Sequence, residues 1–377
     1  MGRSIDLISA GHICLDVTPK FVASAAKRSL EELLRPGSLV VVDRAAVSTG
    51  GGAANVGLSA RKLGLSVAMM GKCGDDVLGR ALLDVLRGFS ADCAAGMRVA
   101  SGESTSYTVV LAPPGTDRIF LHCPGANDTF GADDVDLDLV AKARLFYFGY
   151  PPLMARMYAG GGEELAELLG RVKAKGVTTA LDMALPDPSG PTGRARWPEI
   201  LANALPRVDV FAPSVEELAL MLRRDEYGRM IARGDVLDQL TPALLRDLSA
   251  GCLEMGAAVV MIKCGRHGLY VRSAGAGRIG QMGSAAPAVS AWVDGEFFRP
   301  SYRVEKVVSA TGAGDSAVAG FLAGLLRGAD LPTAADYACA AGAHNVSALD
   351  TTSGLRSWEQ TTASLGDARV EAVIDLG

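Results

Sequence analysis

Short apolar runs alternate along the chain with longer stretches whose apolar positions recur every three to four residues. The runs read as strands: IDLISAG at 5–11, SVAMMG at 66–71, RLFYFG at 144–149, VTTALD at 177–182, VDVFAP at 208–213 and AAVVMIKC at 257–264. The periodic stretches between them, 53–64, 77–88, 162–176 and 241–256, read as helices, and two more follow at 314–327 and 333–348. Strands that alternate with helices must run largely parallel, with helices on both faces of the sheet. The expected fold class is therefore α/β, a doubly wound, mainly parallel sheet in one domain spanning residues 1–377.

Three runs break this rhythm. Residues 38–48, 105–112 and 118–123 look like strands without intervening helices, and PPGT forms the turn between the last two. They predict a small antiparallel sheet, within about 12–50 and 103–124, that acts as a lid on the main domain. The stretch 281–303 is rich in Ala, Ser and Pro and reads as a loop, while 349–377 shows no clear period.

Composition narrows the chemistry. Half of the 377 residues are hydrophobic and the net charge is −5, with Lys and Arg scattered, so no basic stripe offers itself to nucleic acid. No uninterrupted apolar run is long enough for a membrane span, and the N-terminus lacks the pattern of a signal peptide. Seven dispersed cysteines without a CxxC pair fit neither a disulfide framework nor a zinc site, and the expected location is a reducing cytoplasm.

Two glycine-rich stretches carry the candidate chemistry. SATGAGD at 309–315 opens a small-residue helix, and a helix N-terminus presents unpaired N–H groups to an anion. The amides of Gly312, Ala313 and Gly314 can neutralise charge on a transferring phosphoryl group, with Asp315 placed to accept a proton from an attacking hydroxyl. Taken alone, GAGD is equally a tight turn with an acidic cap, and Gly312, Gly314 and Ala317 also satisfy a loose dinucleotide fingerprint. The second stretch, STGGGAANVGLSARKLG at 48–64, sets Gly50, Gly51 and Gly52 before a helix in which Asn55 offers both a donor and an acceptor. Gly71, Gly74, Asp76 and Gly79 follow, a strand-to-helix junction in which Asp76 reads as a helix-terminal charge.

In this order the two stretches resemble the signatures of the PfkB, or ribokinase-like, family of carbohydrate and nucleoside kinases. The resemblance implies that family's fold with its β-sheet lid, and an ATP- and Mg²⁺-dependent kinase acting on a hydroxyl of a small sugar or sugar acid. It implies Asp315 as general base, the backbone at 312–314 as anion hole, and Asp16, Gly50, Gly51, Gly52 and Asn55 at the acceptor. On the nucleotide side it implies Ser214, Lys263, Gly265, Gly268, Thr311 and Cys339, with adenine against residues 338–342 and Glu217 organising the metal. Ser214 replaces the asparagine usual in the family's NxxE motif, and Gly52 replaces the lysine of ribokinases. Ser309 stands where an aspartate helps to hold a monovalent cation, which leaves potassium dependence open. Lys20, Arg44 or Arg118 could meet an acceptor that is already phosphorylated, and His12 and His122 read as structural. The competing readings are a nucleoside kinase, with Phe120, Tyr147 and Tyr150 available to stack on a base, a catalytically silent binding protein, and a dinucleotide oxidoreductase. The exposed edge of the lid sheet predicts a homodimer.

Overall fold

The computed structural model describes residues 3–22, 30–113, 119–348 and 350–376. Its thirteen strands are β1 Ile5–Gly11, β2 Cys14–Phe21, β3 Val42–Gly50, β4 Val67–Gly74, β5 Gly96–Ala100, β6 Tyr107–Leu111, β7 Ile119–Cys123, β8 Ala143–Gly149, β9 Thr178–Asp182, β10 Val210–Phe211, β11 Val259–Lys263, β12 Gly268–Ser273 and β13 Glu296–Pro300. Nine of them form one sheet in the order β13-β12-β11-β10-β9-β8-β1-β4-β5. It is parallel from β5 to β11, and β12 and β13 add an antiparallel edge.

Alternate side chains of the central strands feed two separate cores. Leu7, Leu145 and Val259 point into one, beneath helices Gly52–Lys62 and Ala313–Leu326. Ile8, Phe146 and Val260 point into the other, beneath helices Glu163–Ala174 and Pro242–Glu254. The near-continuous apolar runs of the sequence follow from this burial on both faces.

The four remaining strands form a second sheet in the order β3-β2-β6-β7. β2 pairs antiparallel with β3 and parallel with β6, which pairs antiparallel with β7. The second sheet is therefore mixed where an antiparallel one was expected, because β6 returns beside β2 only after the chain has passed through β4 and β5. Arg118 and most of the PPGT turn lie outside the described residues.

Other expectations shift. The strand expected at 38–48 runs from Val42 to Gly50, and that expected at 208–213 pairs only at Val210–Phe211. The loop read at 281–303 contains β13, an edge strand that ends on Pro300, where a missing N–H costs no ladder bond. Residues 349–377, left without an element, contain the helix Trp358–Ala363.

Candidate active site

Several central strands end at one rim of the sheet, and their last residues or the next ones carry polar groups. His12 follows β1, Tyr150 follows β8, Asp182 closes β9, Ser214 lies just beyond β10 and Lys263 closes β11. Strand register aligns Gly11 with Gly149 and Gly149 with Asp182, and an isolated bridge pairs Ser214 with Lys263. The carboxyl ends of an open α/β sheet are where such folds bind ligands.

The two glycine-rich stretches meet at this rim. Gly51 caps helix Gly52–Lys62 with φ 88°, and a Cβ there would lie 2.5 Å from the His12 carbonyl oxygen. Gly312 caps helix Ala313–Leu326 with φ 76°, a backbone state that L-residues rarely adopt. The helices lie side by side: Ser59 Oγ is 3.3 Å from Ser316 Oγ, and one turn earlier Asn55 Nδ2 donates to Asp315 Oδ2 at 3.0 Å. Tyr150, itself left-handed at φ 69°, donates from its hydroxyl to Asp315 Oδ1 at 2.6 Å.

Asp315 is buried, and burial pushes its carboxyl above the usual range, against the pull of Tyr150, Lys263 and Asn55. The first-turn N–H groups of Gly314 and Asp315 have no carbonyl one turn earlier in their helix. Of the expected donors Gly312, Ala313 and Gly314, the amide of Ala313 turns back to the Ala310 carbonyl at 3.3 Å.

A cavity of about 790 Å³ opens beside this cluster, walled by Tyr150, Ser214, Glu217, Lys263, Gly265, Gly268, Cys339 and residues 312–315. Its far wall includes Ala338, Cys339 and Gly342 from the small-residue helix Leu331–Asn345. Thr311 is not in the wall; its carbonyl accepts from Asn345 Nδ2 at 2.8 Å. Gly265 and Gly268 form the hairpin turn between β11 and β12, both with positive φ.

Ser214 and Glu217 form a reciprocal capping box. The Ser214 N–H donates to Glu217 Oε2 at 2.6 Å and the Glu217 N–H to Ser214 Oγ at 3.2 Å. Glu217 is buried. One buried carboxylate that sequence reasoning missed, Asp182, completes the picture around Lys263 and Asp315. The Lys263 ammonium donates to Asp182 Oδ1 at 2.6 Å, and burial raises Asp182 against the opposing pull of Lys263. Asp182 closes a strand at the sheet's ligand rim, the one signal that could have found it.

The expected acceptor residues gather on the lid side, outside the cavity wall. Asp16 lies on β2 with its carboxylate against Gly50, so a side chain at position 50 would have to displace it. Burial raises Asp16, opposed by hydrogen bonds from Cys14 and Thr108. Gly52 is packed so closely on Tyr147, Gly149 and Tyr150 that a Cβ would sit about 3 Å from each, which excludes a lysine there. His12 Nε2 lies 3.2 Å from His122 Nε2, and His122 Nδ1 lies 3.1 Å from Thr108 Oγ1, linking the rim to the lid. Burial lowers both imidazoles, His12 to about 3, so both are neutral. Asp76 caps helix Val77–Phe89 and binds Thr105, the structural role expected of it.

Residues 21–358 match the profile of the pfkB family carbohydrate kinases. The chain belongs to that family and is a phosphotransferase with an alcohol group as acceptor. An uncharacterized sugar kinase of Archaeoglobus fulgidus is 28% identical over 73% of this chain and 88% of its own length. The 2-dehydro-3-deoxygluconokinase of Thermoproteus tenax is 26% identical over 82% of each chain. A nucleoside kinase of Methanothermobacter thermautotrophicus is 25% identical over 90% of this chain and 89% of its own. Among solved structures, Arabidopsis thaliana ribokinase complexed with ribose and ATP superposes with TM-score 0.68 at 17% identity, over 98% of this chain and 100% of that one. A putative ribokinase II from E. coli in complex with ATP and Mg²⁺ gives TM-score 0.67 at 20% identity, over 95% and 98%.

Proposed function

We propose that this protein transfers the γ-phosphoryl group of ATP to a hydroxyl of a small sugar or sugar acid, with Asp315 as general base. The observation that carries the reading is Asp315 itself. Its buried carboxylate is held by Asn55 and Tyr150 and also faces the large cavity lined by Lys263 and Glu217. The carboxylate therefore stands where an acceptor hydroxyl from the side of Asn55 can meet a terminal phosphate in the cavity.

Asp315 takes the hydroxyl proton as the new phosphorus–oxygen bond forms and the bond to ADP breaks. Burial makes it a stronger base than a solvated carboxylate. The helix start at residues 312–315 receives charge on the phosphoryl oxygens, with Gly312 and Gly314 leaving room for close approach. Asp16, Gly50, Gly51, Gly52 and Asn55 bind the acceptor beneath the four-stranded lid. Ser214, Lys263, Gly265, Gly268 and Cys339 bind the nucleotide, and Thr311 shapes its loop from behind.

Three carboxylates, Asp182, Glu217 and Asp315, surround the Lys263 ammonium and raise its pKa against the cost of burial. This excess of hard oxygen donors suits Mg²⁺, which Glu217 would help to hold. When bound, the ion neutralises the nucleotide's phosphates. Seven free thiols support work in a reducing cytoplasm, and the exposed edge strand β3 supports a homodimer.

Purified protein with ATP and Mg²⁺ should phosphorylate a member of a panel of free sugars, sugar acids, sugar phosphates and nucleosides. Asp315→Asn should retain nucleotide binding by calorimetry and lose roughly 10²–10⁴-fold in turnover; a near wild-type rate rejects the assignment. The Methanothermobacter relative supports nucleosides as the second reading, and the same panel decides between the two.

A further inference from the structure

Building on the kinase reading, we infer that Asp182 is a positioning residue that holds the Lys263 ammonium beside the GAGD helix, where it meets the γ-phosphate of ATP. Lys263 closes β11 and Asp182 closes β9, with the two-residue strand β10 between them. The lysine reaches over the end of that short strand to place Nζ 2.6 Å from Asp182 Oδ1. The same oxygen accepts the Met183 N–H at 2.8 Å, which fixes the carboxylate's orientation. Asp182 is fully buried, so it is anchored in the core and the ammonium is the element it aims.

The aim is toward the helix start. A Cβ built on Gly314 would lie 3.5 Å from Lys263 Cδ and 3.7 Å from Nζ, so the ammonium lies against the backbone of the GAGD loop. An ammonium carries three donors, and Asp182 Oδ1 uses one. Lys263 also lines the cavity, in the same wall as Glu217 and Gly314. Arg266, the other cation in that wall, is held elsewhere by Asp235 and Asp238. Lys263 is thus the cation poised for a phosphate at this end of the cavity. A purely structural ion pair would have no need to border the cavity or the helix start.

The contact is to the γ-phosphate, so ATP and ADP should be distinguished. Calorimetry in Mg²⁺ with ATP and with ADP is run on wild type, Asp182→Asn, Lys263→Met and the double variant. Lys263→Met should weaken ATP about tenfold or more, as expected for loss of a charge-assisted contact, and leave ADP within about twofold. Asp182→Asn should weaken ATP in the wild-type background and cost nothing further in the Lys263→Met background, because it acts through the lysine. Equal weakening of ATP and ADP by Lys263→Met overturns the γ-phosphate contact. Additive losses in the double variant overturn the positioning role and point to Asp182 acting on the metal instead. Should Lys263→Met not fold, Lys263→Gln removes the charge while keeping a donor for Asp182 and yields the same comparison. A wild-type protein that binds neither nucleotide sinks the kinase reading itself, an outcome separate from the other two.

Discussion

Tyr150 shows how a single residue can set the behaviour of Asp315, the proposed base. It holds a left-handed backbone at φ 69°, a conformation rare outside glycine, and spends its hydroxyl on Asp315 at 2.6 Å. Burial raises Asp315, whereas the Tyr150 hydrogen bond favours the ionised form and lowers it. Removing the hydroxyl therefore raises the pKa further, and activity that needs ionised Asp315 is lost at a higher pH. In Tyr150→Phe the acidic limb of the kcat/KM–pH profile should move up by about one to two units, from a charge-assisted bond of about 1.5–3 kcal/mol. A limb that stays in place or moves down contradicts this role. In the sequence Tyr150 was a candidate for stacking on a base, because a tyrosine after a strand carries no mark of where its hydroxyl goes. Asp315 and Asn55 were legible because each stands in a glycine-rich helix start.

At the scale of elements, the helix that begins with GAGD depends on close approach to its neighbours. A Cβ on Gly320 would lie 2.5 Å from the Tyr337 carbonyl oxygen, and one on Gly324 3.0 Å from the Ala334 Cα. These glycines let helices Ala313–Leu326 and Leu331–Asn345 pack at backbone distance, and the second helix forms the cavity's far wall. Gly320→Val should destabilise the protein by about 1–3 kcal/mol, the usual cost of overpacking, read as a lower urea midpoint with an unchanged slope. An unchanged midpoint would mean that the two helices can part without cost. Most elements were legible because apolar period and glycine punctuation agree along the chain. The strands not read are β5 and β13, which lie at the two edges of the main sheet, β12 beside β13, and β2 in the smaller sheet, while β10, expected over 208–213, pairs over only two residues. Edge strands need no continuous apolar run, so their sequences resemble loops.

For the whole molecule, the lid presents surface that the chain itself leaves uncovered. On β3 every residue from Val42 to Arg44 and on to Val47 is exposed to a large degree, and on β7 Phe120 and Leu121 are half exposed. An edge strand of this kind is stabilised by a neighbour. Light scattering at micromolar concentration should report a dimer, and Val47→Glu should shift it toward monomer. A wild-type monomer at that concentration rules the dimer out.

The order of apolar runs, the two glycine-rich helix starts and the capping acids are local patterns. Backbone geometry and side-chain period act over a few residues, so the sequence alone determined the α/β class, the presence of a second small sheet and the helix start that holds Asp315. Which side chains surround Asp315 depends on strand ends distant in the chain being brought side by side. Only the tertiary structure joined Asn55 and Tyr150 to Asp315, set Lys263 on Asp182, and turned the Ala313 amide to the Ala310 carbonyl. Those contacts arise from sheet order and helix packing, which no single stretch of sequence encodes.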